Sequence, residues 1–180
     1  FDTKLYPLVL TRWEGLDCWN YQPCIYAYKA TDVAITGEGT IDGNGTNDTW
    51  WNMCGKDTFG YIEGQKESQR TSRPQLQKMS EDGIPVNDRK FGIGKGLRPQ
   101  LINLYECDGI IIEDVTLLRS PFWVIHPLLS KDITVKNVKI WNEGPNGDGC
   151  DPESCERVII EGCTFHTGDD CIAIKSGRNA

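Results

Sequence analysis

One pattern returns along this chain at an interval of about 24 residues, and a repeat of that length leaves few folds open. It runs as Val33-Ala34-Ile35-Thr36-Gly37, then from Ile110 to Leu117, from Ile133 to Ile140 and from Val158 to Phe165. Ile110 to Ile133 is 23 residues and Ile133 to Val158 is 25. Each copy alternates apolar with other residues, turns at a Gly, Asp or Asn, and alternates again. A period of two marks a half-buried strand, and those corner residues tolerate the backbone of a sharp bend. A further strand-like run accompanies the copies: Leu101–Leu104, Phe122–Ile125 and Ile172–Lys175. Three short strands per turn describe an all-β chain wound as a parallel β-helix, a solenoid of about 24 residues per rung. A propeller blade needs about 40 to 45 residues per unit. A β-sandwich is the alternative architecture, but its strands have no reason to repeat a corner residue in register.

The stretch 44–96 interrupts the repeat. It is polar, rich in Gly, Lys, Ser and Gln, and opens near Trp50-Trp51. It reads as a region inserted between rungs, on the side where a solenoid binds its ligands. Residues 1–180 are otherwise expected to form a single β-helix domain, truncated at both ends, because neither a cap nor more than about five rungs is visible. The net charge of −7 argues against nucleic acid or an anionic membrane as partner. No apolar run approaches the ~18 residues of a membrane span. An acidic polymer would also meet this average field, so local cations would have to overcome it. The eight cysteines include no Cys-x-x-Cys pair, which makes a zinc site a poor reading and favours buried thiols over a disulfide framework.

The densest constellation lies near the end. Asn146-Gly147-Asp148-Gly149-Cys150-Asp151 is followed by Thr167-Gly168-Asp169-Asp170-Cys171. Asp148 to Asp169 and Cys150 to Cys171 are both 21 residues, a little under one rung. Stacking Cys150 beneath Cys171 sets Asp148 beside the Asp169-Asp170 pair, about one strand spacing away. Clustered carboxylates repel, which raises at least one pKa and leaves an acid and a base in one site. Glycoside hydrolysis needs that pair. Adjacent strand residues face opposite ways, so both aspartates share one cleft only if the backbone bends at Gly168. A solvated turn and a calcium cluster of oxygen ligands are the competing readings.

These motifs carry a resemblance. Asn146 to Asp151 resembles the Asn-Thr-Asp-Gly-x-Asp motif of glycoside hydrolase family 28, the polygalacturonases and their relatives. Gly168 to Gly177 is similar to the family's Asp-Asp-Cys signature and the strand after it. Ser120 to Pro127 and Gly37 to Gly43 resemble further rungs. Gly147 stands where the family usually has threonine. The resemblance implies a right-handed β-helix that hydrolyses α-1,4-galacturonosidic links of pectin with inversion. It implies Asp169 as general acid, with Asp148 and Asp170 activating water, and no cofactor or metal. Inversion calls for roughly 6.5–9.5 Å between acid and base carboxyls. The family's Gly-His-Gly and Arg-x-Lys motifs do not occur in these 180 residues, so the fragment alone is expected to be inactive.

His126, Lys175, Arg178 and Trp51 are the candidate substrate-binding residues. Lys175 and Arg178 would offset the acidic average toward a galacturonate chain, and Trp50 or Trp51 would stack on sugars at the cleft rim. The expected partner is a pectic polysaccharide or oligogalacturonide, with neither nucleic acid nor membrane, acted on by a secreted or periplasmic monomer. A calcium-dependent pectate lyase and a non-catalytic carbohydrate-binding solenoid remain the alternatives. The sequence leaves internal against terminal cutting open.

Overall fold

A computed structural model describes residues 2–178. In chain order the strands are β1 (Leu8–Trp13), β2 (Leu16–Tyr21), β3 (Ile25–Tyr28), β4 (Thr31–Thr36), β5 (Thr40–Asp42), β6 (Lys90–Phe91), β7 (Ile102–Tyr105), β8 (Asp108–Glu113), β9 (Thr116–Leu118), β10 (Ile125–Leu128), β11 (Lys131–Lys136), β12 (Lys139–Asn142), β13 (Glu156–Glu161) and β14 (Thr164–Thr167). One α-helix, α1 (Gln69–Glu81), lies between β5 and β6.

The described residues pack as two compact units, which corrects the expectation of one β-helix domain over 1–180. The first gathers the residues up to Gln22, Thr46–Pro99 and the stretch from Ser176; the second holds Pro23–Gly45 and Gln100–Lys175. The physical reason is that the interrupting stretch is more than a polar loop. It supplies Trp50, Met53, Leu76 and Phe91, all buried. In the same unit β1 pairs antiparallel with β2, and β6 joins β2 in parallel. Ser68 caps α1, its hydroxyl accepting from the Arg70 N–H at 3.2 Å.

The second unit is the solenoid. Its strands form three parallel sheets, ordered β10-β7-β3, β13-β11-β8-β4 and β14-β12-β9-β5. The pairing follows the repeat read from the sequence: Val33, Ile110, Ile133 and Val158 stack in one column, and Ile35, Ile112, Val135 and Ile160 in the next. Ile41, Leu117, Ile140 and Phe165 form a third column. These inward columns make one apolar core. The corner read from Gly37, Asp114, Asn137 and Gly162 has positive φ at every level. There the Asn137 amide donates to Asp114 at 3.1 Å. In the remaining sheet β10 starts three residues later than expected, at Ile125 instead of Phe122. Ser120 causes this, because its hydroxyl bonds the Trp123 carbonyl at 2.9 Å and closes a turn across Pro121-Phe122. The run Ile172–Lys175 is no continuous strand but touches its neighbour through single bridges at Ile172 and Lys175.

A second corner has no sequence signature. Lys29, Glu106, Leu129 and Ser154 all have φ near +50. Their N–H groups donate across the rungs, Leu129 to the Glu153 carbonyl at 2.9 Å and Ser154 to that of Lys175 at 2.8 Å. A leucine pays a steric cost in this region that asparagine largely avoids. Leu129→Asn is therefore expected to raise stability by about 1 kcal/mol, read as a higher denaturant midpoint at unchanged m-value. A lowered midpoint would mean that packing of the Leu129 side chain outweighs the backbone strain.

Candidate active site

Three successive turns of the second unit meet at the aspartate motifs. Val124 and Ile125 donate to the carbonyls of Asp148 and Gly149, at 2.8 and 3.0 Å. Gly149 and Cys150 in turn donate to those of Asp170 and Cys171, at 2.9 and 3.0 Å. The bridge between these turns pairs Cys150 with Ile172, so the register is one residue later than a Cys150–Cys171 stack. The shift sets Asp148 level with Asp170. Glycine is what lets the turns close on each other. A Cβ on Gly168 would lie 2.6 Å from the Gly144 carbonyl oxygen and 2.7 Å from that of Glu143. The need for Gly168 is thus close backbone approach, not a left-handed bend.

Asp148, Asp169 and Asp170 come together as expected: one carboxylate oxygen from each lies within 4.8 Å of the others. Asp148 is buried, while Asp169 and Asp170 are exposed. The same three oxygens would be the donors if a hard cation were held here.

Lys175 sits against this cluster. Its Nζ lies 3.2 Å from Asp148 Oδ2, 3.6 Å from Asp151 Oδ2 and 4.2 Å from the centre of the Trp123 ring. Burial pushes the Asp148 pKa up; the Lys175 charge opposes that and Asp169 adds to it. Asp151 is fully buried, and its pKa is pushed up to about 8, by burial first and by the Asp148 charge second. It is therefore a neutral acid beside an ionisable one at pH 7. Burial alone would lower the Lys175 pKa, but Asp151 and Asp148 together raise it.

His126 does not face a ligand. It is completely buried, with Nε2 3.0 Å from Glu153 Oε2 and Nδ1 3.2 Å from the Asn103 amide nitrogen. The amide nitrogen is a donor, so Nδ1 accepts and Nε2 carries the proton that Glu153 receives. That corrects the expectation of a substrate contact: a side chain with no exposed surface and both ring nitrogens engaged is structural. Arg178 belongs to the first unit, where it neighbours Glu14 together with Arg73 and Arg98. Trp51 is in the same unit, half-buried and edge-on to Phe59. Trp50 is a core residue there, packed between Tyr6 and Tyr21. Two members of the cluster were missed. Asp151 stood inside the quoted motif, and its signal was a second carboxylate on the same tight turn. Trp123 reads from the sequence only as one of six tryptophans able to stack on a sugar, with core packing the commoner role. All eight cysteines are free thiols, four of them buried.

The second unit is thus a parallel solenoid on which three carboxylates converge from neighbouring turns. Comparison with known proteins identifies its family. A profile of glycosyl hydrolases family 28 matches residues 88–180, and the chain belongs to this family. A probable polygalacturonase of Vitis vinifera is 35% identical over 161 residues, 88% of this chain and 25% of that protein. Endopolygalacturonase I of Aspergillus aculeatus is 28% identical, over 83% of this chain and 43% of its own length. The crystal structure of a hyperthermoactive exopolygalacturonase from Thermotoga maritima superposes with a TM-score of 0.95 at 46% identity, covering 98% of this chain and 40% of that one. The chain thus spans between a quarter and somewhat under half of these relatives.

Proposed function

We propose that this chain carries the acid–base centre of a pectin hydrolase that cleaves α-1,4-galacturonosidic bonds. The observation that supports it is the convergence of Asp148, Asp169 and Asp170 within 4.8 Å, one buried and two open to solvent. A water between two such oxygens hydrogen-bonds to both, since twice a normal O–H···O distance of about 2.8 Å spans the gap. In this reading Asp148 and Asp170 hold and activate the water, and Asp169 protonates the leaving oxygen. The Lys175 ion pair suits Asp148 to the ionised, basic role. The substrate is a pectic polysaccharide or oligogalacturonide, met outside the cell or in the periplasm by a monomer. The likeness to an exo-acting structure supports removal of residues from chain ends.

The competing stereochemical course is retention through a glycosyl-enzyme, for which about 5–5.5 Å between the carboxyls is usual. Proton NMR of the first-formed product, with the protein at its natural length and oligogalacturonate as substrate, separates the two. Inversion gives the β-anomer and retention the α-anomer. The same assay tests the whole proposal. An unsaturated product seen by ultraviolet absorbance, lost on chelation and restored by calcium, would make the protein a lyase. Tight binding without turnover would make it a binding module.

A further inference from the structure

Lys175 was expected to bind the substrate's carboxylates, and its surroundings assign it a different task. An ammonium group has three N–H donors and no acceptor. Asp148 Oδ2 and Asp151 Oδ2 lie to one side of this one, and the face of Trp123 lies 4.2 Å away on which it rests. The platform is itself fixed: Trp123 is buried, stacked on Phe122 at 4.9 Å and edge-on to His126 at 5.0 Å. The backbone of Lys175 is pinned as well, its N–H donating to Pro152 at 3.0 Å and its carbonyl accepting from Ser154 at 2.8 Å. Root and tip are therefore both held, and the tip lies within ion-pair distance of the Asp148 carboxylate.

The geometry points to Lys175 as a positioning residue: through its ion pair with Asp148, and seated on Trp123, it fixes the orientation and the negative charge of the water-activating carboxylate without touching substrate. The inference rests on the hydrolase reading given above. It explains how two carboxyls three residues apart serve differently. Asp148 keeps the nearer contact with Lys175 and a neighbour on the open side. Asp151 is enclosed and farther from the cation, and burial pushes its pKa up to about 8. The charged groups facing this point are Asp148 and Asp151 from their own turn, Asp169 and Asp170 from the next, and Lys175; His126 and Glu153 are paired with each other.

The test uses Lys175→Met and Lys175→Arg in the protein at its natural length. Asp148 must be ionised to act as base, so activity falls on the acid side of its pKa. Removing the cation raises that pKa, and the acid limb of kcat/KM is expected to move up by about one pH unit in Lys175→Met. Below the limb this is a loss of about tenfold, with KM little changed. Lys175→Arg keeps the charge and is expected to hold the limb near its wild-type position. A raised KM with an unmoved limb would overturn the inference and make Lys175 a substrate ligand. If the wild type cleaves no galacturonan, the hydrolase reading fails by itself. The ¹³C titration of the Asp148 carboxyl in Lys175→Met and Lys175→Arg then still decides: an upward move confined to the methionine variant supports the inference, and no move refutes it.

Discussion

Asp148→Asn, made in the protein at its natural length, is expected to lower kcat on polygalacturonate by about 10²–10⁴-fold with little change in KM. The amide keeps the shape of the side chain, so the turn from Asn146 to Asp151 survives, but it neither takes a proton from water nor carries charge. A loss in kcat and kcat/KM alike identifies an interaction made in the transition state. Asp151→Asn is the control. Asp151 is buried and its pKa is pushed up to about 8, chiefly by that burial, so at pH 7 the neutral form that the amide mimics is favoured. Its kcat is expected to fall far less. The role of Asp169 is separated by leaving group. If it is the general acid, the deficit of Asp169→Asn shrinks on an aryl galacturonide whose leaving group needs no proton, whereas that of Asp148→Asn does not. Reversal of this pattern would exchange the two roles, an arrangement that the raised pKa of Asp148 taken alone would favour. The Lys175 ion pair at 3.2 Å argues against the exchange, because a proton donor gains nothing from a cation beside it.

The solenoid was legible because its inward residues obey the simplest of rules. Val, Ile, Leu and Phe columns must repeat at the period of one turn to bury a continuous core, so Ile110, Ile133 and Val158 announce themselves. The Gly-Asn-Asp corner was legible for the same reason: those residue types carry the conformation in their chemistry. The corner at Lys29, Glu106, Leu129 and Ser154 was not, because there the hydrogen bonds between rungs impose left-handed backbone on residues with no preference for it. The three aspartates could be placed from the repeat to within one residue of register. Cys150 and Cys171 look equivalent in sequence but are not, because the chain slips by one residue and Cys150 pairs with Ile172. For Lys175 and His126 the sequence offers only charge and residue type. What separates their actual environments, a carboxylate pair on one side and complete enclosure on the other, is tertiary and has no counterpart in local sequence.

Gly147→Thr is expected to destabilise the chain by about 1–3 kcal/mol, although it restores the residue usual in the family at this position. A Cβ on Gly147 would stand 2.6 Å from the Gly144 carbonyl oxygen and 2.8 Å from both the Asn142 carbonyl oxygen and its side-chain nitrogen. Two of these neighbours are backbone, which cannot swing away as a side chain would. The third, the Asn142 amide, already donates to the Phe122 carbonyl at 3.3 Å and is buried. Threonine adds a branched Cβ to a site with no room for one, so the segment 143–149 must lift. Gly39→Ala is the matched control, because nothing lies within 4 Å of a Cβ built there and its φ is not in the left-handed region. It is expected to be neutral or slightly stabilising, since alanine lowers the entropy of the unfolded chain. Denaturant midpoints at constant m-value give both numbers. In Gly147→Thr the lifted segment carries Asp148 away from Lys175 and the exposed pair, so activity should fall further than the lost stability explains. A threonine accommodated at no cost would mean that the loop packs more loosely than these distances require. The placement of Asp148 would then no longer follow from the close approach of glycine backbone, and the site would need another cause for its shape.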